Sequence, residues 1–171
     1  MSAERIAALK TLFDSRLETL AHLFDVAAQG WREDDILQRR LAPDMFPFGA
    51  QVALACNQPR GFSQWCRGLP IENLPTEVAS FAQARQHIVD TRALVAEIDV
   101  DDTQLQQVKR IGLGPEMHAE VAGHAYVADH LLPNLYFHLA TAYAILRAAG
   151  AQIGKRDFLT YLAPHVRRNE R

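Results

Sequence analysis

From Leu131 to Phe158 the chain runs LLPNLYFHLATAYAILRAAGAQIGKRDF, its most apolar stretch and the strongest constraint on its fold. Leu135, Leu139, Ala142, Ile145 and Leu146 recur at steps that gather them on one face of an α-helix. A helix with such a face is stable only when that face is covered by other elements. The helix is expected to begin near His124 or after Pro133 and to run to Ala149, with Gly150 as its stop. A single imidazole, His138, sits in the middle of it.

Three other stretches carry the same rhythm. Over residues 3–29, Ile6, Leu9, Phe13, Leu17, Leu20 and Phe24 form a seam, and Gly30 is the expected C-terminal cap. A short helical turn is expected at 36–41. In RLAPDMFPFGAQVALACNQPRGFSQWCRG the residues Phe48, Val52, Ala55, Phe62 and Cys66 continue a helical stripe, with Asp44 as N-cap, a kink at Pro59 and an end at Gly68. Leu69 to Pro75 is turn-rich. A third long helix is expected over 76–98, capped by Thr76 and burying Val78, Phe81, Ile88, Val95 and Ile98. Residues 104–123, punctuated by Gly112, Gly114, Pro115 and Gly123, are open between a hairpin, an irregular connection and a short helix. A last short helix with Phe158, Tyr161 and Leu162 is cut at Pro164, and Arg167, Arg168 and Arg171 form a solvated tail. Four long one-sided helices without a strong strand signal make an all-α bundle the economical architecture.

The 171 residues suffice for one domain, residues 1–171, and are too few for two. A net charge of −2 gives no electrostatic case for nucleic acid or an anionic membrane. No uncharged stretch reaches the roughly 20 apolar residues of a membrane span. Glu4, Arg5 and Lys10 interrupt the start where a signal peptide would need an apolar run, so the sequence reads as cytoplasmic. Cys56 and Cys66 lie on one expected helix with about 15 Å of rise between them, too far for a disulfide. Two buried thiols are the expectation.

Known catalytic motifs fail on inspection. His118-Ala119-Glu120 lacks the P-C-x-x-C of a deaminase, and Gly112-Leu113-Gly114 lacks the third glycine of a dinucleotide loop. His118, His124 and His130 recur every sixth residue, a spacing that scatters them around a helix, and they read with His22 and His87 as surface residues. Gly154-Lys155-Arg156-Asp157 is basic, and Asp157 capping the last helix explains it. Trp65, Tyr136 and Tyr143 could line a pocket, although such spacing more often marks core.

RLAPDMFPFGAQVALACNQPRG, LPNLYFHLATAYAILRAAG and GKRDFL together resemble a bacterial family of unknown function grouped with the DinB/YfiT-like four-helix bundles. The resemblance spans essentially the whole chain. It implies a four-helix bundle with long crossover connections, and a homodimer. In that superfamily one His on the second helix and an H-x-x-x-H pair on the fourth hold a divalent metal, such as zinc, nickel or manganese, for thiol-dependent transferase or isomerase chemistry. His138, nine residues before Arg147, matches the second His of the pair; Asn134 stands at the first, and Asn57 near the second-helix position.

Two functions follow. The first is a binding or interaction module without cofactor, its small polar cavity formed by Asn57, Asn134, His138 and Tyr143 and holding an unidentified small molecule. The alternative is a metal-dependent enzyme with His138 as the retained ligand. Nothing in the residues alone decides whether the protein is an enzyme.

Overall fold

The computed structural model describes residues 2–167, so Arg168 and Arg171 of the expected tail lie outside the described residues. Four long helices pack around one apolar cluster: α1 (Glu4–Gly30), α3 (Phe48–Cys66), α4 (Phe81–Ala96) and α6 (Leu132–Ala148). All five expected core residues of α6 are buried, as are Ile6, Phe13, Leu17, Leu20 and Phe24 of α1. The all-α expectation holds, with one small addition. Residues 104–123 begin in a 3-10 turn (Asp102–Gln106) and form a hairpin, β1 (Val108–Gly112) against β2 (His118–Ala122), antiparallel with Arg110 opposite Glu120. Among the described residues no helix is long and apolar enough to cross a membrane.

Several helix ends differ from expectation, and each has a local cause. Gly30 has no positive φ; the chain leaves α1 through extended Trp31, whose N–H still reaches the Ala27 carbonyl. The short helix after it is α2 (Glu33–Leu37), shifted toward the three acids Glu33, Asp34 and Asp35 that suit a helix N-terminus. Pro47, and not Asp44, is the N-cap of α3, which continues through the buried Pro59 to Cys66, with Gly68 at φ +67° just past its end. Ser80, and not Thr76, caps α4. Its hydroxyl accepts from the Gln83 N–H at 3.1 Å, while the Gln83 side chain accepts from the Ala79 N–H at 2.8 Å. The Glu33 carboxylate of α2 also accepts from the Phe81 N–H, tying the two elements together.

The last long helix is built in three pieces. A single turn, α5 (Gly123–Ala125), runs into a π-helical turn (Tyr126–Leu131), and α6 follows with Pro133 in its first turn. Proline lacks the N–H that would serve the carbonyl four residues earlier, and a widened turn is a common way to absorb that loss. The Asn134 side-chain amide meanwhile donates to the His130 carbonyl at 2.7 Å. At the far end Gly150 adopts φ +99° as expected. The short α7 (Lys155–Phe158) is held by Asp157, which accepts from the Gly154 N–H at 2.7 Å and bonds His22 of α1 at 2.8 Å. His22 is thus half-buried and engaged.

Gly123, where the hairpin turns into the helix, has the least room of the described glycines. A Cβ there would stand 2.4 Å from the Trp65 ring and 2.8 Å from the Gln104 carbonyl oxygen. Gly123→Ala is therefore expected to destabilise the fold by about 1–3 kcal/mol through overpacking. Urea unfolding checks this; a variant as stable as the parent would mean that Trp65 does not press on this turn.

Candidate functional site

His138 is half-buried on the face of α6 toward α3. Its Nδ1 lies 2.8 Å from the Oε1 of Gln51, a side chain only 1% exposed. The Gln51 amide nitrogen is already donating to the Phe46 carbonyl at 3.0 Å, so its oxygen must be the acceptor and Nδ1 must carry the ring proton. Burial lowers the pKa of His138 below its ordinary value, keeping the ring neutral with its lone pair on Nε2.

Asn57 is elsewhere. It is buried on α3, its Oδ1 accepting from the Leu74 N–H at 2.8 Å and its Nδ2 donating to the Leu74 carbonyl at 3.5 Å. One turn on, Arg60 donates to the Glu72 carbonyl at 3.0 Å, and Gln64 accepts from the Glu72 N–H at 3.1 Å. Positions 57, 60 and 64 share one face of a helix, so three side chains pin the segment between α3 and α4 by its backbone.

The cavity expected around Asn57, Asn134 and His138 therefore resolves into separate places. α3 and α6 run antiparallel: Gln51 meets His138, while Gly61, ten residues on, lies against the Tyr126 hydroxyl. Asn57, about 9 Å along α3 from Gln51, turns both amide atoms to the Leu74 backbone rather than to His138. Asn134 occupies its amide nitrogen on the His130 carbonyl. Tyr143 packs edge-on against Phe158 at 5.9 Å and borders a shallow apolar depression with Ala140 and Lys155.

Asn57 opens instead onto a cleft of about 420 Å³ between α3, the pinned segment, β1 and the π turn. Leu54, Asn57, Gln58 and Gly61 line one side, Ile71 and Asn73 another, and residues 109–112 a third. Tyr126 and His130 form the floor, their rings stacked at 5.6 Å with 17° between planes. The Lys109 amine sits 5.6 Å from the Tyr126 ring centre, and Trp65 meets the same ring edge-on at 5.5 Å. Burial lowers the pKa of both His130 and Lys109 and pushes the Tyr126 phenol up to about 12. None of the side chains lining the cleft is a carboxylate, thiol or aliphatic hydroxyl.

Sequence reasoning placed His130 on the surface and passed over Lys109 and Tyr126. The available signal was Tyr126-x-x-x-His130, an aromatic pair one helical turn apart just before Pro133. His118 and His124 are exposed as expected. His87 is half-buried, its Nε2 enclosed without a partner among the described residues, and burial lowers its pKa. Cys56 and Cys66 are free and buried, their thiols pushed up to about 12 by desolvation.

The divalent metal implied by the resemblance does not fit this donor set. A catalytic transition-metal site needs about three imidazole, thiolate or carboxylate donors. Asn57 uses both amide atoms on Leu74, and His138 contributes its imidazole alone. Among the described residues no three His, Cys, Asp or Glu side chains gather closely enough to hold an ion.

Two outcomes follow from the imidazoles. In a nitrogen-detected NMR titration His130 and His138 should titrate below the ordinary value of about 6.5, with His138 as the Nδ1–H form. The folded protein resists protonating them while the unfolded chain does not, so they support the fold at neutral pH and that support fades as pH drops below about 6.5. Titration at or above the ordinary value would contradict their burial. His138→Ala, which strands the Gln51 oxygen, should cost about 1–3 kcal/mol in urea unfolding at pH 7; an unchanged midpoint would sink the pairing.

A crystal structure of a DinB family member protein from Shewanella denitrificans is similar to this chain at a TM-score of 0.78 and 26% identity, covering 93% of this chain and 96% of that one. No curated protein matches the sequence. Over residues 7–159 the sequence matches the domain of unknown function DUF1993, and the chain belongs to that family, a DinB-like family of helical bundles.

Proposed function

We propose that this DinB-like protein is a non-catalytic binding module for a small molecule, working in the cytoplasm as a single domain and a homodimer. The cleft floored by Tyr126 and His130 is where the ligand sits. The observation that carries the reading is the wall held by Asn57, Arg60 and Gln64, which gives the cleft fixed sides before anything enters. A site that needs no ordering on binding keeps more of its contact energy as affinity. The volume, about 420 Å³, lies in the usual range for small-molecule sites.

The chemistry of the lining supports binding over turnover. It offers no serine, threonine or cysteine nucleophile and no carboxylate to orient His130 as a general base. His130 can stack on a polar ligand, and the Tyr126 hydroxyl and the amides of Gln58 and Asn73 can hydrogen-bond it. For pairing of two copies, the exposed Phe46 and Phe137 supply apolar area that an isolated copy leaves to water.

A ligand-detected NMR screen of small polar fragments tests the site. Hits should shift amide signals within 57–61 and 126–131. Asn73→Trp, which fills the cleft from an exposed position, should weaken them by roughly tenfold or more, equivalent to losing about 1.4 kcal/mol. Hits that bind only elsewhere, or that ignore Asn73→Trp, would refute the assignment.

A further inference from the structure

The cleft is asymmetric in charge, and the asymmetry comes from the hairpin. Along β1 alternate residues face inward, and the inward set consists of Lys109 and Ile111. A lysine is an unexpected choice for the covered face of a short strand, where an aliphatic residue would pack without desolvating a charge. Lys109 forms no ion pair among the described residues, whose pairs all lie elsewhere. Its amine stands over the Tyr126 ring, which supplies a partial counter-charge through its π face. The neighbouring Arg110 lies at the rim, its guanidinium bonded to His118 at 3.2 Å on the outer face.

With no acid in the lining, an incoming cation would meet uncompensated positive charge, whereas an anion would complete the pair that Lys109 lacks. The amine shares the cleft with the polar groups of Tyr126, His130 and Asn73 and with the apolar Leu54, Ile71 and Leu131. We propose that the cleft is selective for a small organic anion, a carboxylate or phosphate monoester on a compact apolar body, whose charge pairs with Lys109 and whose body lies against the His130 ring and the apolar Leu54 and Ile71. This rests on the cleft being the binding site and adds the class of ligand.

The test compares benzoate and phenyl phosphate with two probes of matched size, neutral benzamide and cationic benzylamine. Each is titrated into the full-length protein while the Lys109, Tyr126 and His130 signals are followed by NMR. The anions should bind at least roughly tenfold more tightly than benzamide, as a charge-assisted hydrogen bond affords, and benzylamine should not bind. Which anion binds more tightly separates carboxylate from phosphate ligands. Lys109→Met should abolish the preference for anions and Lys109→Arg should retain most of it, with the melting temperature of each variant checking the fold. Equal binding of benzamide or benzylamine at the cleft would overturn the charge selectivity while leaving the cleft as a binding site. No response to either anion would also overturn it, and the fragment screen would then decide the cleft separately.

Discussion

The alignment of α3 against α6 is the constraint on which the rest of the structure depends. Two contacts fix it. At one end the buried Gln51 amide holds His138, and near the other Gly123 lets the helix start directly beneath Trp65. Sliding one helix past the other by a single turn would strand a buried polar group and drive backbone into an indole ring, so neither end can relax alone. Everything in the cleft inherits that alignment. Tyr126 and His130 come to lie beside Gly61 and Asn57 because the two ends are set.

The polar side chains of α3 divide their work along its length. Gln51 faces α6, whereas Asn57, Arg60 and Gln64 grip the segment that leads to α4. That segment has no regular secondary structure and would otherwise leave its backbone groups to water. Holding it by its own N–H and carbonyl groups turns a connection into a wall. The same economy appears at the start of α1, where Asp102 of the 3-10 turn accepts from the Ile6 N–H at 3.0 Å, so that the hairpin's approach caps a helix almost a hundred residues away.

What the sequence carried was mostly periodic and local. The stripes of α1 and α6, the stop at Gly68 and the buried thiols are all properties of one segment read against helical geometry. The start of α4 was half legible. Ser80-x-x-Gln83 is a capping pattern visible in the letters, while the Glu33 carboxylate on the Phe81 N–H comes from a different element. The hairpin was indistinct because its strands are short, half-exposed and joined without a strong turn pair. The site was the least legible part. Spacing along one helix marks His138 as the lone imidazole of α6, but which residues of α3 stand opposite is decided by the alignment of two helices, and no local pattern encodes that. The six-residue spacing of His118, His124 and His130 makes His130 read as a surface residue, whereas its partner is Tyr126 one turn away in a stretch widened ahead of Pro133.

The alignment can be measured directly by proton NOE spectroscopy on the folded protein. The account predicts strong cross-peaks from the Trp65 indole ring to the Gly123 α-protons and from the Tyr126 ring to the Gly61 α-protons. If those peaks are missing, and the Trp65 and Tyr126 rings report neighbours one helical turn away, the two helices are aligned differently and the cleft described here does not exist.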